Sequence, residues 1–221
     1  MLLLAFDTAT PAVTAALHDG ERVLAESTVV DARRHGELLV PAVDRVLTAA
    51  RAEMALVTGI VVGVGPGPYT GLRVGLVTAA AFGDALDVPV YGLCTLDGLA
   101  WAAGEAGLDG PFVVATDARR KEVYWARYDG PGHRVTEPAV DRPADIAEQV
   151  AGVPAVGAGA HLYPEVFADR RADPAHQSAG ALAGLAVHRM TTGEPFAPAL
   201  PLYLRRPDAQ VPAGYKAVLP R

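Results

Sequence analysis

The sequence predicts an α/β protein built as two similar lobes, and three observations carry that prediction. Short apolar runs bounded by turn residues alternate with segments of helical periodicity. Phe112–Asp117 repeats Leu2–Asp7 without a gap, with Ala5 matching Ala115 and Asp7 matching Asp117. The repeat begins halfway along the 221 residues. Lobes at 1–105 and 106–221 are expected, with the last helix and tail packing back on the first lobe. Coincidence is the rival explanation, because an apolar run closed by Asp is a common strand end.

In chain order, Leu2–Phe6 is suited to a buried strand, and Asp19-Gly20 joins Val13–His18 to Arg22–Val29 as a hairpin. From His35 to Arg51, Leu39, Val43, Val46 and Ala50 share one helical face, with Pro41 in the first turns, where it is best tolerated. Gly59–Val64 reads as a strand, Thr70–Leu86 as a helix, Pro89–Leu93 as a strand, and Thr95 as the cap of the next helix. The second half restarts at Phe112, pairing Val13 with Val123 and Ala16 with Ala126. Val153–Gly157 is a strand, Ala179–Met190 a helix, and the proline-rich tail from Pro195 is extended.

Composition narrows the class. Hydrophobic residues make up 51%, but 42 of the residues are Ala, so the apolar fraction does not mark a membrane protein. No apolar run approaches the roughly 20 residues of a membrane helix, and Met1–Phe6 lacks the flanks of a signal peptide. Cys94 is the single cysteine, which excludes a disulfide framework. A cytoplasmic protein is expected. The net charge of −6 and scattered arginine pairs argue against autonomous nucleic-acid binding, so such a role would be shared with a partner.

Candidate chemistry is sparse. Gly63–Gly75 has the strand, glycine loop and helix start from which phosphate cradles are made. However, Pro68 stands in place of the third glycine of GxGxxG, prolines 66 and 68 remove N–H donors, and no Walker lysine is present. Asp7 and Asp117 end core strands, where two-lobed phosphotransferases place cleft carboxylates. Asp7-Thr8-Ala9-Thr10 lacks the glycine that would grip phosphate, so a hydrogen-bonded turn carboxylate is the competing role for both aspartates. Gly71, Gly75, Ala79 and Gly83 form a ridge four residues apart. Each interior glycine costs about 1 kcal/mol against Ala, which implies close packing, either on the chain's own sheet or against another chain. No two of the six histidines have metal-ligand spacing on a helix. His35 reads as an exposed helix-end residue, Cys94 as a buried thiol, and Asp97 as a first-turn charge.

Several segments together resemble the TsaB (YeaZ) family of bacterial tRNA threonylcarbamoyladenosine biosynthesis subunits. They are Leu4–Thr10, His35–Pro41, Gly65–Gly75, Tyr91–Asp97, Asp117–Tyr124 and Pro201–Arg205. Cys94 and Pro68 depart from the serine that relatives often carry. The resemblance implies the two-lobed fold of the actin, sugar-kinase and heat-shock-ATPase type (RNase H-like), with a degenerate nucleotide cleft at Asp7, Thr8 and Asp117. It implies a non-catalytic partner of the threonylcarbamoyl transferase TsaD, joined by TsaE and reaching tRNA only through the complex. It further implies homodimers when alone, no metal or cofactor of its own, and ATP or ADP at the partner interface. The partner surface carries over to the two N-lobe helices: Leu39, Val43, Val46, Thr70, Gly71, Gly75, Ala79 and Gly83. On that reading Gly75→Leu removes partner binding and leaves a folded monomer. The competing classes are a glycoprotease-like or nucleotide-hydrolysing enzyme, which ATP turnover by the isolated chain would reveal, and a free-standing homodimeric interaction protein.

Overall fold

Strand β1 (Leu3–Asp7) is buried at every position, and it lies at the centre of the first sheet. It pairs antiparallel with β2 (Ala12–His18), which pairs with the edge strand β3 (Val23–Val30). On its other side it runs parallel to β4 (Gly59–Gly63), and β4 to β5 (Val90–Leu93). Burial on both faces explains why the run is apolar throughout and does not alternate. Leu4 and Phe6 face helices α1 (His35–Ala50) and α2 (Tyr69–Leu86), while Leu3 and Ala5 face helix α6 (Ala179–Thr192). This computed structural model describes residues 1–205. The expected tail beyond Arg205 therefore lies outside the described residues.

The second sheet repeats the first. Strand β6 (Phe112–Asp117) pairs antiparallel with β7 (Val123–Gly130) and parallel with β10 (Ala155–Val156). The short strands β8 (His133–Arg134) and β9 (Ala139–Asp141) both pair with β7. The order β10-β6-β7-β8 matches β4-β1-β2-β3. One detail corrects the sequence alignment. Leu4 pairs with Leu17, whereas Val114 pairs with Ala126. Ala126 thus corresponds to Leu17 and not to Ala16, because the second hairpin turn is one residue shorter. In a strand a one-residue shift exchanges the two faces.

Where the first lobe has α1, the second has only a 3-10 turn at Pro143–Ile146 and the single-turn helix α4 (Ala147–Val150). Helix α5 (Ala158–Leu162) follows β10 as α2 follows β4. Helix α3 (Thr95–Glu105) covers the inner face of the second sheet with Leu96, Leu99 and Ala103. It packs on α6, which is anchored by Ser178 Oγ accepting from the Ala181 N–H at 3.0 Å. The two helices form a shared middle layer between the sheets. Two helix starts differ from expectation. Helix α2 begins at Tyr69 after Pro68, one residue before the expected Thr70. Cys94, not Thr95, precedes α3, and the Thr95 hydroxyl is engaged elsewhere.

Candidate functional site

The end of β1 is a closed polar knot. Asp7 Oδ1 accepts the Ala9 N–H at 2.6 Å, and Oδ2 accepts the Thr95 hydroxyl at 2.7 Å. The same Thr95 oxygen takes the Gly65 N–H at 3.2 Å. Thr8 Oγ donates to the Gly71 carbonyl at 2.7 Å and accepts from the Gly75 N–H at 3.0 Å. Those two backbone groups are the pair that an unbroken helix joins to each other, so the hydroxyl is inserted in the ladder of α2. His35 is half-buried and donates to the Thr10 carbonyl at 2.8 Å, which ties the start of α1 to the same turn.

The loop and the strand end are closely packed. A side chain at Gly63 would collide with the Asp7 carboxylate, and one at Gly67 with the Ala9 carbonyl. The chain therefore fills the space between loop and strand with its own groups. Asp117 makes the same turn, accepting the Arg119 N–H at 2.7 Å, with the Arg119 guanidinium 3.2 Å away. Arg119, Arg120 and Lys121 all hold positive φ, at 61°, 57° and 63°. Arg205 braces this turn, donating to the Ala118 carbonyl at 2.7 Å and pairing with Glu122.

Burial lifts the Asp7 carboxyl from the ordinary 3.8 to about 6, against the opposing pull of the Ala9 N–H, the Thr95 hydroxyl and His35. Between those two values the folded chain holds a proton that the unfolded chain has released. Stability therefore falls as pH rises from about 4 to about 6 and is flat beyond, by an amount on the order of 3 kcal/mol. Urea unfolding of wild type and Asp7→Asn across this range checks it: their difference is expected to change with pH, and a constant difference would refute the assignment.

The expected partner surface needs correction. Leu39, Val43 and Val46 are 0%, 3% and 1% exposed and pack on the first sheet. The glycine ridge also faces inward. Side chains at Gly71 and Gly75 would meet Thr8, one at Gly83 would meet Val90, and Ala79 is fully buried. The small residues let α2 approach β1 and β4, so Gly75→Leu is not a clean interface probe. Of the residues named from sequence, only Thr70 is exposed. The outward faces carry other residues. Val40 on α1 is 53% exposed and Val77 on α2 is 67% exposed. Both helices lead into parallel strands, so they run side by side in one direction, with Gly36 against Val74. Val40 and Val77 each lie one turn further along their own helix. Spacing identified the buried stripe, and these exposed valines lie off it.

Comparison with known proteins follows the same lines. Over 174 residues, three-quarters of each chain, the sequence is 30% identical to the tRNA threonylcarbamoyladenosine biosynthesis protein TsaB of Escherichia coli. The chain belongs to the TsaB (YeaZ) family. An uncharacterized protein of Mycobacterium tuberculosis is 47% identical over 94% of this chain and 93% of its own. YeaZ from Pseudomonas aeruginosa superimposes with a TM-score of 0.77 at 30% identity, covering 92% of this chain and 100% of that one. The family model of TsaD, the tRNA N6-adenosine threonylcarbamoyltransferase, matches residues 22–173.

The TsaB-family motifs now have structural reasons. Leu4–Thr10 and Gly65–Gly75 are the two sides of the Asp7–Thr8 knot, and Tyr91–Asp97 supplies Thr95. Pro201–Arg205 is a strap across both lobes. The Leu202 N–H donates to the Val64 carbonyl at 2.8 Å, Tyr203 stacks on Tyr69 at 5.1 Å, and Arg205 reaches the second hairpin. One cluster was not anticipated. Asp97 Oδ1 accepts Tyr128 OH at 2.9 Å and Arg134 Nη1 at 2.8 Å, and Oδ2 accepts Arg189 Nη2 at 3.2 Å. Nearby Cys94 is buried and its thiol is pushed up to about 12 by burial, which suits packing and not nucleophilic attack. Among the described residues there is no group of three metal-binding side chains and no helix long and apolar enough to cross a membrane.

Proposed function

We propose that this TsaB-family chain is a non-catalytic cytoplasmic subunit in the synthesis of threonylcarbamoyladenosine on tRNA, acting by holding the transferase TsaD. The observation that carries the reading is the exposure of the apolar residues Val40 and Val77 on adjoining helices of the lobe that carries the Asp7–Thr8 knot. Large exposed apolar side chains grouped on one face mark interaction surfaces. The Asp7 carboxylate and the Thr8 hydroxyl are spent on hydrogen bonds within the chain, which supports a role other than phosphoryl transfer. Among the described residues the Cys94 thiol is buried and neither Ser27 nor Ser178 bonds to a histidine, which gives no support to a peptidase. TsaE joins the assembly, tRNA is reached only through it, and ATP or ADP sits between the subunits and not within this chain. Without TsaD the same valine surface pairs two copies of this chain.

The test is co-purification with TsaD and reconstitution of tRNA modification. Val40→Asp/Val77→Asp is expected to abolish both while stability changes by no more than about 1 kcal/mol, since exposed substitutions are each worth within about 0.5 kcal/mol. The same variant is expected to elute as a monomer. Retained TsaD binding at wild-type affinity would place the interface elsewhere, and tRNA modification by TsaD and TsaE at full rate without this chain would remove the subunit role.

A further inference from the structure

Helix α2 carries an outward stripe as well as its buried one. Tyr69, Arg73, Val77, Ala80, Ala81 and Asp84 are all exposed. Arg73, Val77 and Asp84 stand at i, i+4 and i+11, which places them along one line of the helix. The charges at the two ends of that line are unanswered. The Arg73 guanidinium lies 3.8 Å over the Tyr69 ring with Tyr203 beside it, and no carboxylate of the described residues pairs with it. Asp84 has no cation among the described residues either. It sits in the last turn of α2, where the helix dipole disfavours a carboxylate, so the stability of the helix does not account for it. Arg73 and Asp84 are about 16 Å apart along the axis, too far to meet within one chain.

Turned end for end about a two-fold axis, this stripe is its own complement. Arg73 of one copy then faces Asp84 of the other, twice over. Val77 lies over Ala80 and Ala81 of the other copy, whose small side chains let the two helices approach closely. Shape agrees with charge. Beside the C-terminal half of α2 is a groove of about 520 Å³, lined by Leu76, Ala80, Asp84, Val88 and Ala199 among others. Leu76 and Ala80 follow Tyr69 at i+7 and i+11, so Tyr69 lies on the flank of the groove, near the opposite end of the helix. Tyr69 and Tyr203, stacked on each other, are 45% and 39% exposed. A two-fold axis keeps like flanks together, so it brings this pair of rings to the other copy's groove.

We propose that two copies of this chain pair through α2 in this antiparallel register, set by reciprocal Arg73–Asp84 ion pairs and by Tyr69 at the other copy's groove. The proposal rests on the reading that the valine surface pairs two copies, and it adds the alignment and the residues that fix it. Exposed ion pairs contribute little affinity, but like charges brought together are penalised, so the charges select the register.

Sedimentation of the full chain at low ionic strength tests this, with Arg73→Asp and Asp84→Arg run separately and as an equimolar mixture. Each variant alone sets two like-charge pairs across the contact and is expected to self-associate at least about tenfold more weakly than wild type. The mixture restores both opposite-charge pairs and is expected to associate within about threefold of the wild-type affinity. Arg73→Asp/Asp84→Arg in one chain is expected to do the same. Recovery in the mixture also shows that the separate variants are folded. Charge variants that each self-associate like wild type, or a mixture no tighter than its components, would overturn the register. If Val40→Asp/Val77→Asp is monomeric in that case, the valine surface still pairs the copies by another alignment. Wild type that sediments as a monomer, or Val40→Asp/Val77→Asp that pairs as tightly as wild type, would overturn the surface and the register together.

Discussion

Gly75→Leu is expected to destabilise the chain by more than about 3 kcal/mol, near the upper end for a single substitution. A Cβ at this position would lie 2.7 Å from Thr8 Oγ and 3.6 Å from Val62, and leucine adds three more carbons in the same direction. The helix would have to lift off β1 and β4. In doing so it would lose the Thr8 hydroxyl from its ladder, where that group makes two buried hydrogen bonds. Thermal unfolding by circular dichroism reads the loss directly. A double-mutant cycle isolates its cause. Gly75→Ala alone should be destabilising despite the better helix propensity of Ala, whereas in a Thr8→Ala background its Cβ meets nothing closer than ordinary contact. The second alanine should therefore cost less there than in wild type, with a coupling of about 1 kcal/mol or more. A folded Gly75→Leu with normal melting would return the ridge to the surface.

That contrast shows what spacing reveals. Four small residues at every fourth position identify a helix face under steric pressure, but the pattern is the same whether the pressure comes from the chain's own sheet or from a partner. The run of Leu39, Val43 and Val46 is limited in the same way. It is a legible buried stripe, and the stripe says nothing of the rest of that helix's surface, where the exposed Val40 lies. The strand ends were clearer. Leu2–Asp7 and Phe112–Asp117 announced themselves as repeats because both are central, apolar on both faces and closed by an aspartate whose carboxylate accepts the N–H two residues on. The pairing of the following strands was not legible to one residue. The segment from Val123 to Ala126 is apolar at every position, so nothing in it distinguishes one face from the other.

The Asp97 cluster was illegible for a different reason, which is distance along the chain. Tyr128, Arg134 and Arg189 lie 31, 37 and 92 residues away. Local pattern sees only an acidic residue in a helix's first turn, a common and sufficient role. Only the packing of α3 between the two sheets brings β7, β8 and α6 to that one carboxylate. The Arg205 strap is similar, since Leu202 meets Val64 and Arg205 meets Ala118 only once the lobes are in place. Local elements were therefore readable from the residues, and the contacts that fasten lobe to lobe were not.

Those fastening contacts make Asp97→Ala the second large effect. The substitution leaves two partly buried guanidiniums without their shared counter-charge and leaves the fully buried Tyr128 hydroxyl without its acceptor. Breaking one side of a buried ion pair costs about 3–5 kcal/mol, and an orphaned buried donor adds about 1–3 kcal/mol, though the two overlap because they share one carboxylate. Against a domain stability of about 5–15 kcal/mol, the loss is expected to bring the variant close to unfolding at physiological temperature. Removing all the charges should be far milder. Asp97→Leu/Arg134→Met/Arg189→Met replaces the cluster with apolar volume, and such exchanges are often neutral or stabilising. Urea unfolding of the two variants gives the comparison. A single Asp97→Ala variant as stable as wild type would mean that the arginines are solvated and that the carboxylate does not hold the lobes together. A triple variant less stable than Asp97→Ala would mean that the cluster contributes favourable energy beyond satisfying its own charges.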